Sequence, residues 1–310
     1  MTTDEKLTAI LAAVQTDPGN RGLGRDPNDN LFTATKGDFE AACRSFVGTP
    51  NAALDVTTGF YIPTATPPAF ETDGPLGAAF LFRALVPLGY RVGLTGQKAC
   101  VSAMHAAIAQ GTTLKPAYIE YRDESDQPSY VVQLDEAWPG QSATHYLAIE
   151  HVGRASNGRY YSMRGRDITG FTKPVDEGFL RNAEQRLVET IGIGDGGNEI
   201  GMGKIPHDTI VKNIPNGDLI HCRVPTDHLI VCGVSNWGAY AFAAGVYVLR
   251  GVTPHGDLFD PNCERKILEI MVREGPLVDG VTGQQTATVD GLTWDKYVKP
   301  LARIREILES

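Results

Sequence analysis

From Ala52 onward the chain alternates short apolar runs with segments of helical spacing, and few architectures accommodate that rhythm. Ala52–Val56, Arg91–Thr95, Ala117–Tyr121, Tyr130–Leu134, Thr144–Val152, Val188–Ile193 and Leu229–Cys232 read as strands. Leu76–Leu88, Lys98–Gln110, Glu177–Leu187 and Trp237–Leu249 read as the helices between them. Such alternation builds an α/β fold, a mostly parallel sheet with helices on both faces. The polar, turn-rich stretch around 122–175 reads as an irregular insertion at the sheet's edge. No internal repeat, charge run or low-complexity linker divides the chain, so residues 1–310 are expected to form a single α/β domain. Ahead of the alternation, an amphipathic helix is expected to start near Thr3 and end before Asp17-Pro18-Gly19.

Composition bounds the function classes. Apolar residues at 42% and charged residues at 21% describe an ordinary globular protein. A net charge of -9 argues against an electrostatic grip on nucleic acid or on anionic lipid. No stretch approaches the roughly 18 apolar residues of a membrane span, and the acidic start MTTDEKLTAILAAV is unlike a signal peptide. The five cysteines (43, 100, 222, 232 and 263) are odd in number and contain no CxxC, which disfavours a disulfide framework or a structural zinc site. A reducing, cytoplasmic setting is the expectation.

Ligands of open parallel sheets collect at the carboxyl ends of the strands. Three unusual loops fall there: Thr57-Thr58-Gly59-Phe60, the stretch GIGDGGNEIGMGK from Gly192 to Lys204, and Gly233-Val-Ser-Asn-Trp237. The long stretch packs six glycines around Asp195, Asn198, Glu199 and Lys204. It formally matches the G-x-G-x-x-G dinucleotide fingerprint, with Asp218 near the place of a ribose-binding acid. Gly201, Gly203 and Pro206 would interrupt the helix that fingerprint opens, and Asp195 would repel a pyrophosphate. No nicotinamide or flavin is therefore expected. Ile205 stands where a P-loop needs Ser or Thr, so that motif is absent too.

Each polar residue at these strand ends has two readings. Asp195 and Glu199 either hold a divalent cation such as Mg²⁺ or Mn²⁺, or serve as a helix cap and a solvated first-turn acid. A short helix over 197–203 would make an anion site of the amides of Gly196, Gly197 and Asn198. Asp73, in Glu71-Thr-Asp-Gly-Pro75, either caps the following helix or reaches a ligand beside Thr57, Thr58 and Gly59. Ser235 and Asn236 are caps or anion-binding groups. Glu150 ends a buried strand and needs a partner, with Arg154, Arg164 and Arg166 nearest in sequence. No HxxxH, HxH or GxSxG spacing occurs.

The segments DVTTGFYIP, ETDGPLGA, GIGDGGNEIGMGK and DHLIVCGVSNWGAYA closely resemble the D-glutamate cyclase family, and within it the C-terminal domain. The resemblance runs from about Gly22 to Arg303. In vertebrate mitochondrial members this domain is fused to a separate N-terminal half, so the present chain reads as a free-standing version. The resemblance implies a lyase that reversibly dehydrates D-glutamate to 5-oxo-D-proline, a small-molecule substrate pair, but it carries over no residue roles. Chemistry assigns them. Asp195 and Glu199 become an acid/base pair or, with Asp73, ligands of a divalent metal, and these three are the catalytic candidates. Thr57, Thr58, Gly59, Lys204, Ser235, Asn236 and the amides of Gly196, Gly197 and Asn198 become substrate contacts, with Arg164 and Arg166 as further cations. Two other readings stay open: an amino-acid-binding module without chemistry, and a nucleotide-dependent enzyme that cradles phosphate on the glycine stretch through a metal.

Overall fold

The computed structural model describes residues 1–111, 117–121, 130–133, 143–186 and 188–310. Its strands are β1 (Ala53–Thr58), β2 (Tyr61–Ile62), β3 (Ala69–Phe70), β4 (Arg91–Gln97), β5 (Ala117–Tyr121), β6 (Tyr130–Gln133), β7 (His145–Ile149), β8 (Glu189–Gly194) and β9 (His228–Val231). Its helices are α1 (Thr3–Val14), α2 (Leu31–Ala34), α3 (Asp38–Gly48), α4 (Pro75–Leu85), α5 (Lys98–Gly111) and α6 (Asp176–Gln185). They continue with α7 (His207–Asn213), α8 (Gly217–Ile220), α9 (Ser235–Arg250), α10 (Pro261–Glu274), α11 (Trp294–Tyr297) and α12 (Lys299–Glu309).

Seven strands form one sheet in the order β6-β5-β4-β1-β7-β8-β9, while β2 and β3 pair as a small antiparallel ribbon. Every neighbouring pair in the large sheet is parallel except β5–β6, so the edge strand β6 alone runs against the rest. The order contains one reversal. From β1 the chain steps outward to β4 and β5, then returns to lay β7 against the other side of β1. The carboxyl ends of β1 and β7 thus flank the switch point, where an open parallel sheet leaves a crevice.

The strands divide their side chains between two cores. Leu147 and Ile149 of β7 join the larger core, built with α1, α3, α4, α5, α9, α10 and α12, while Ala148 joins the smaller one. Ile230 likewise faces the larger core and Leu229 and Val231 the smaller, which includes Phe179 of α6, Ile210 of α7 and Ile200 of the glycine stretch. A strand apolar on both faces is stable only inside the sheet. This corrects the expectation of an edge insertion over 122–175: β6 lies at the edge, but β7 is an interior strand between β1 and β8. Residues 122–129 and 134–142 of that stretch, and Leu187 at the expected end of a helix, lie outside the described residues.

The first helix begins as expected, with a capping box in which Thr2 accepts from the Glu5 N–H and Glu5 accepts from the Thr2 N–H. It packs on α9, the central helix, which is buried from Ser235 through Tyr247 and also contacts α3, α4 and α12. Small residues permit that crowding. A β-carbon on Gly245 would lie 2.5 Å from Cys43 Sγ, and one on Gly238 would lie 2.4 Å from Ile193.

Candidate active site

Five chain segments converge at the switch point. β1 ends in Thr57 and Thr58, both buried, whose hydroxyls have no hydrogen-bond partner among the described residues. β7 runs directly into Glu150, a buried residue at φ +44°. β8 leads into Asp195, the loop before α4 supplies Glu71 and Asp73, and α9 begins with Ser235 and Asn236.

The two helices at this point cap one another. Asp73 does not cap α4; its oxygens accept from the N–H groups of Ser235 (2.9 Å) and Asn236 (2.8 Å) at the start of α9. Asn236 returns the favour, its Oδ1 accepting from the N–H groups of Gly74 (2.9 Å) and Gly77 (2.7 Å) at the start of α4. Each side chain thereby satisfies amides that have no partner within their own helix. Both helix N-termini, the positive ends of their dipoles, are brought to Asp73.

Around this clasp sits a group of acids. Carboxylate oxygens of Asp73, Glu150 and Asp195 lie within 4.8 Å of one another. Ser235 Oγ donates to Glu150 Oε2 at 2.5 Å. Arg21 Nη1 bonds Asp195 Oδ2, and its Nη2 lies 3.0 Å from Asp290 Oδ2. The Asp290 contact is close in distance but is not aligned as a hydrogen bond.

Burial dominates the electrostatics. It raises Asp73 to about 7, aided by the nearby Asp290 and opposed by the amides of Asn236 and Ser235. Glu150 is pushed far above the ordinary carboxylate range by burial and by Asp195, Glu199, Glu71 and Asp73. Glu71 moves the same way through burial and the charges of Asp290 and Asp73. Asp195 is likewise raised well above the ordinary range by burial, with the Arg21 guanidinium opposing and Asp290, Asp73 and Glu199 adding to the rise. Crowded carboxyl groups cannot all ionise unless a cation joins them. The group therefore holds protons, binds a cation, or does both.

Of the three catalytic candidates, Asp73 and Asp195 come together and Glu150 completes the trio. Glu199 is turned to the backbone instead, accepting from the N–H groups of Asp195 (3.1 Å) and Gly197 (2.8 Å). No helix forms over 197–203; the next one is α7. The stretch is threaded between two other segments, with Gly153 N–H donating to the Asn198 carbonyl at 2.9 Å and Gly201 N–H to the Val224 carbonyl at 2.9 Å. Its glycines serve that packing. A β-carbon on Gly196 would sit 2.4 Å from Met163 Sδ, and one on Gly203 would lie 2.6 Å from the Arg223 and Val224 backbone. Gly197 adopts φ +100°, a region closed to most side chains. The Gly197 amide is thus already engaged, and Asn198 Nδ2 donates to the Tyr161 carbonyl at 2.8 Å.

The expected cations lie elsewhere. Lys204 pairs with Asp38 at 2.5 Å and donates to the Asp227 carbonyl at 2.6 Å. Arg154 pairs with Asp176 rather than Glu150, and Arg164 and Arg166 are exposed. Glu150's partner is Ser235, which no neighbouring sequence could announce. Arg21 and Asp290 also escape the sequence reading. Asp290-Gly291 resembles an ordinary turn, and Arg21 lies in a polar loop without a motif.

Fold and site together define a parallel α/β protein that concentrates buried carboxyl groups, a guanidinium and two helix N-termini at its topological switch point. The chain belongs to the D-glutamate cyclase-like, C-terminal family, whose model matches residues 10–305. It is 33% identical over 258 residues to the human (Homo sapiens) protein named D-glutamate cyclase, mitochondrial. That alignment takes in 81% of this chain and 40% of the human protein, so the chain spans about two fifths of the length of that curated relative. No helix among the described residues is long and apolar enough to cross a membrane.

Proposed function

We propose that this chain is a D-glutamate cyclase-like lyase, closing the α-amine of D-glutamate onto its side-chain carboxyl with loss of water to give 5-oxo-D-proline, reversibly. The observation that carries this reading is the trio Asp73, Glu150 and Asp195, three mutually close buried carboxyl groups at the switch point. Family membership and the printed name of the human relative point the same way.

The reaction asks for three things, and the trio offers a group for each. An ammonium must be held, and Asp195 alone of the three touches a guanidinium, which offsets part of the upward push of burial; an ammonium in place of that guanidinium would do the same. That ammonium must then lose a proton. Asp73, raised to about 7 and held by amides of α9, is a base matched to neutral pH. The departing carboxylate oxygen must gain two protons to leave as water. Glu150 carries one by virtue of its buried, like-charged surroundings, and Asp73 passes on the one it took from the ammonium. The second proton shed by the nitrogen on ring closure returns to Glu150. Thr58 adds, beside Glu150, a hydroxyl without a partner among the described residues. Glu199 holds the glycine stretch in shape behind Asp195 rather than meeting substrate.

A second reading keeps the same trio. Hard divalent cations take oxygen ligands, and the donor set here is all carboxylate, so Asp73, Glu150 and Asp195 suit Mg²⁺ or Mn²⁺. Bound there, such an ion would polarise the substrate carboxyl as a Lewis acid.

The test is to incubate the protein with D- or L-glutamate, before and after chelation and readdition of Mg²⁺ or Mn²⁺, and to follow 5-oxoproline by chiral chromatography. Product from D-glutamate is the expected result. Binding of D-glutamate without product would replace the lyase by a binding module. Stabilisation by ATP in place of glutamate would favour a nucleotide-dependent enzyme.

A further inference from the structure

We propose that the Arg21–Asp195 ion pair is the amino-acid subsite, Asp195 taking the α-ammonium and Arg21 the α-carboxylate of one substrate molecule. The assignment rests on the lyase reading and deepens it, by naming what the site recognises. An α-amino acid carries its two charges on adjacent carbons. A carboxylate and a guanidinium in direct contact present the opposite pair side by side, so a zwitterion can exchange partners with both at once. Arg21 suits this task because a guanidinium offers donors in a fixed planar fork.

Arg21 is delivered by a rigid segment. Asp17 accepts from the N–H groups of Arg21 (2.8 Å), Gly22 (2.7 Å) and Leu23 (3.1 Å), closing the loop that carries it. The same segment is held to the β9–α9 turn, where Gly233 N–H donates to the Val14 carbonyl at 3.0 Å. A β-carbon at Gly233 would lie 2.4 Å from the Thr16 carbonyl oxygen, so the two segments are in close contact. Asp195, Asp290, Glu150 and Asp73 all act on the Arg21 charge. Of the other cations, Lys204 is committed to Asp38, Arg154 to Asp176 and Arg164 to the Val281 carbonyl, and Arg166 is exposed.

An independent observation marks the place as a ligand site. Thr58 is 1% exposed, and its Oγ1 has no hydrogen-bond partner among the described residues. It lies beside Glu150 across Gly74, whose β-carbon position is 2.4 Å from Thr58 Oγ1 and 2.9 Å from Glu150 Cβ.

The subsite separates three small molecules by which of these two charges each carries. D-glutamate carries both groups, 5-oxo-D-proline keeps the carboxylate but has a neutral lactam nitrogen, and 4-aminobutyrate keeps the ammonium but lacks the α-carboxylate. Calorimetric titration with chelator present, on wild type, Arg21→Lys and Asp195→Asn, tests the assignment. Wild type is expected to bind D-glutamate ~10- to 100-fold more tightly than 4-aminobutyrate, the range for a charged hydrogen-bonded contact. Arg21→Lys should weaken D-glutamate and 5-oxo-D-proline ~10-fold or more and leave 4-aminobutyrate within about threefold. Asp195→Asn should weaken D-glutamate ~10-fold or more while 5-oxo-D-proline stays within about threefold.

An Arg21→Lys protein that converts D-glutamate and keeps the wild-type preference over 4-aminobutyrate overturns the assignment and leaves the lyase reading standing. Wild type that neither binds nor converts D-glutamate overturns that reading itself. Should Arg21→Lys fail to fold, the wild-type comparison decides, since equal affinity for D-glutamate and 4-aminobutyrate contradicts the subsite.

Discussion

Glu150 occupies the left-handed region at φ +44°, a conformation that costs a non-glycine residue on the order of 1–3 kcal/mol. The chain turns there as β7 ends, and the turn delivers the carboxyl group to Ser235 and to the other two acids. Strain of this kind persists where the surroundings over-determine it, which fits the acid assigned to the departing oxygen. Replacing Glu150 by Gln is expected to lower turnover at least ~10-fold with the fold intact by circular dichroism. Wild-type kinetics in that variant would remove Glu150 from the chemistry. Asp73 sets a second expectation. Turnover should rise with pH through about 7 as that carboxyl ionises, and the rise should vanish in Asp73→Asn. At this scale the sequence is half legible. A buried acid at a strand end demands a partner, but the partner is 85 residues away and no local spacing carries it. The same holds for Arg21 and Asp195, 174 residues apart.

At the scale of elements, α4 and α9 are joined by the exchange of caps between Asp73 and Asn236. Asn236→Ala would strip an acceptor from the Gly74 and Gly77 amides, and a loss of about 1–2 kcal/mol is expected in denaturant unfolding. Unchanged stability would mean that water replaces the cap at no cost. The glycine stretch shows why motifs mislead. Its glycines match a phosphate-binding pattern in spacing, yet a β-carbon would meet the Ile200 carbonyl at Gly192, Met163 at Gly196 and the Arg223 and Val224 backbone at Gly203. Which neighbour a glycine admits is a tertiary fact. Strands and helices were more readable, since α9 announces burial on all sides through its own composition; β7 was legible as a strand but not as an interior one. Helices α3, α10 and α12 fall outside the strand–helix alternation, and their amphipathic faces become informative only once α9 and α5 supply the surfaces they cover.

For the whole molecule, the α/β class follows from the alternation, but the switch point depends on strand order. That order is a tertiary fact that places β7 beside β1. Concentrating acids there affects the stability of the entire fold. A carboxyl group raised in the folded state binds its proton more tightly than the unfolded chain does, so its stabilising effect is present below about pH 4. That effect is lost as pH rises through the folded value, about 7 for Asp73 and well above the ordinary range for Glu150 and Glu71. His145 and His221, pushed down to about 4 by burial, act in the other direction, adding stability as pH rises toward the ordinary histidine value. Thermal midpoints should therefore peak in mildly acidic to neutral buffer and fall toward about pH 9, with a shallower alkaline fall in Glu150→Gln. An equally steep fall in that variant would show that the acids do not govern it.

The central claim is one of place, that the ligand of this protein lies between the carboxyl ends of β1 and β7 against Asp73, Glu150 and Asp195. A crystal structure with 5-oxo-D-proline or D-glutamate bound tests it most directly. The account predicts ligand density within hydrogen-bonding reach of that trio, with the α-carboxylate on Arg21. Density on another face of the sheet, with the trio untouched, would contradict it.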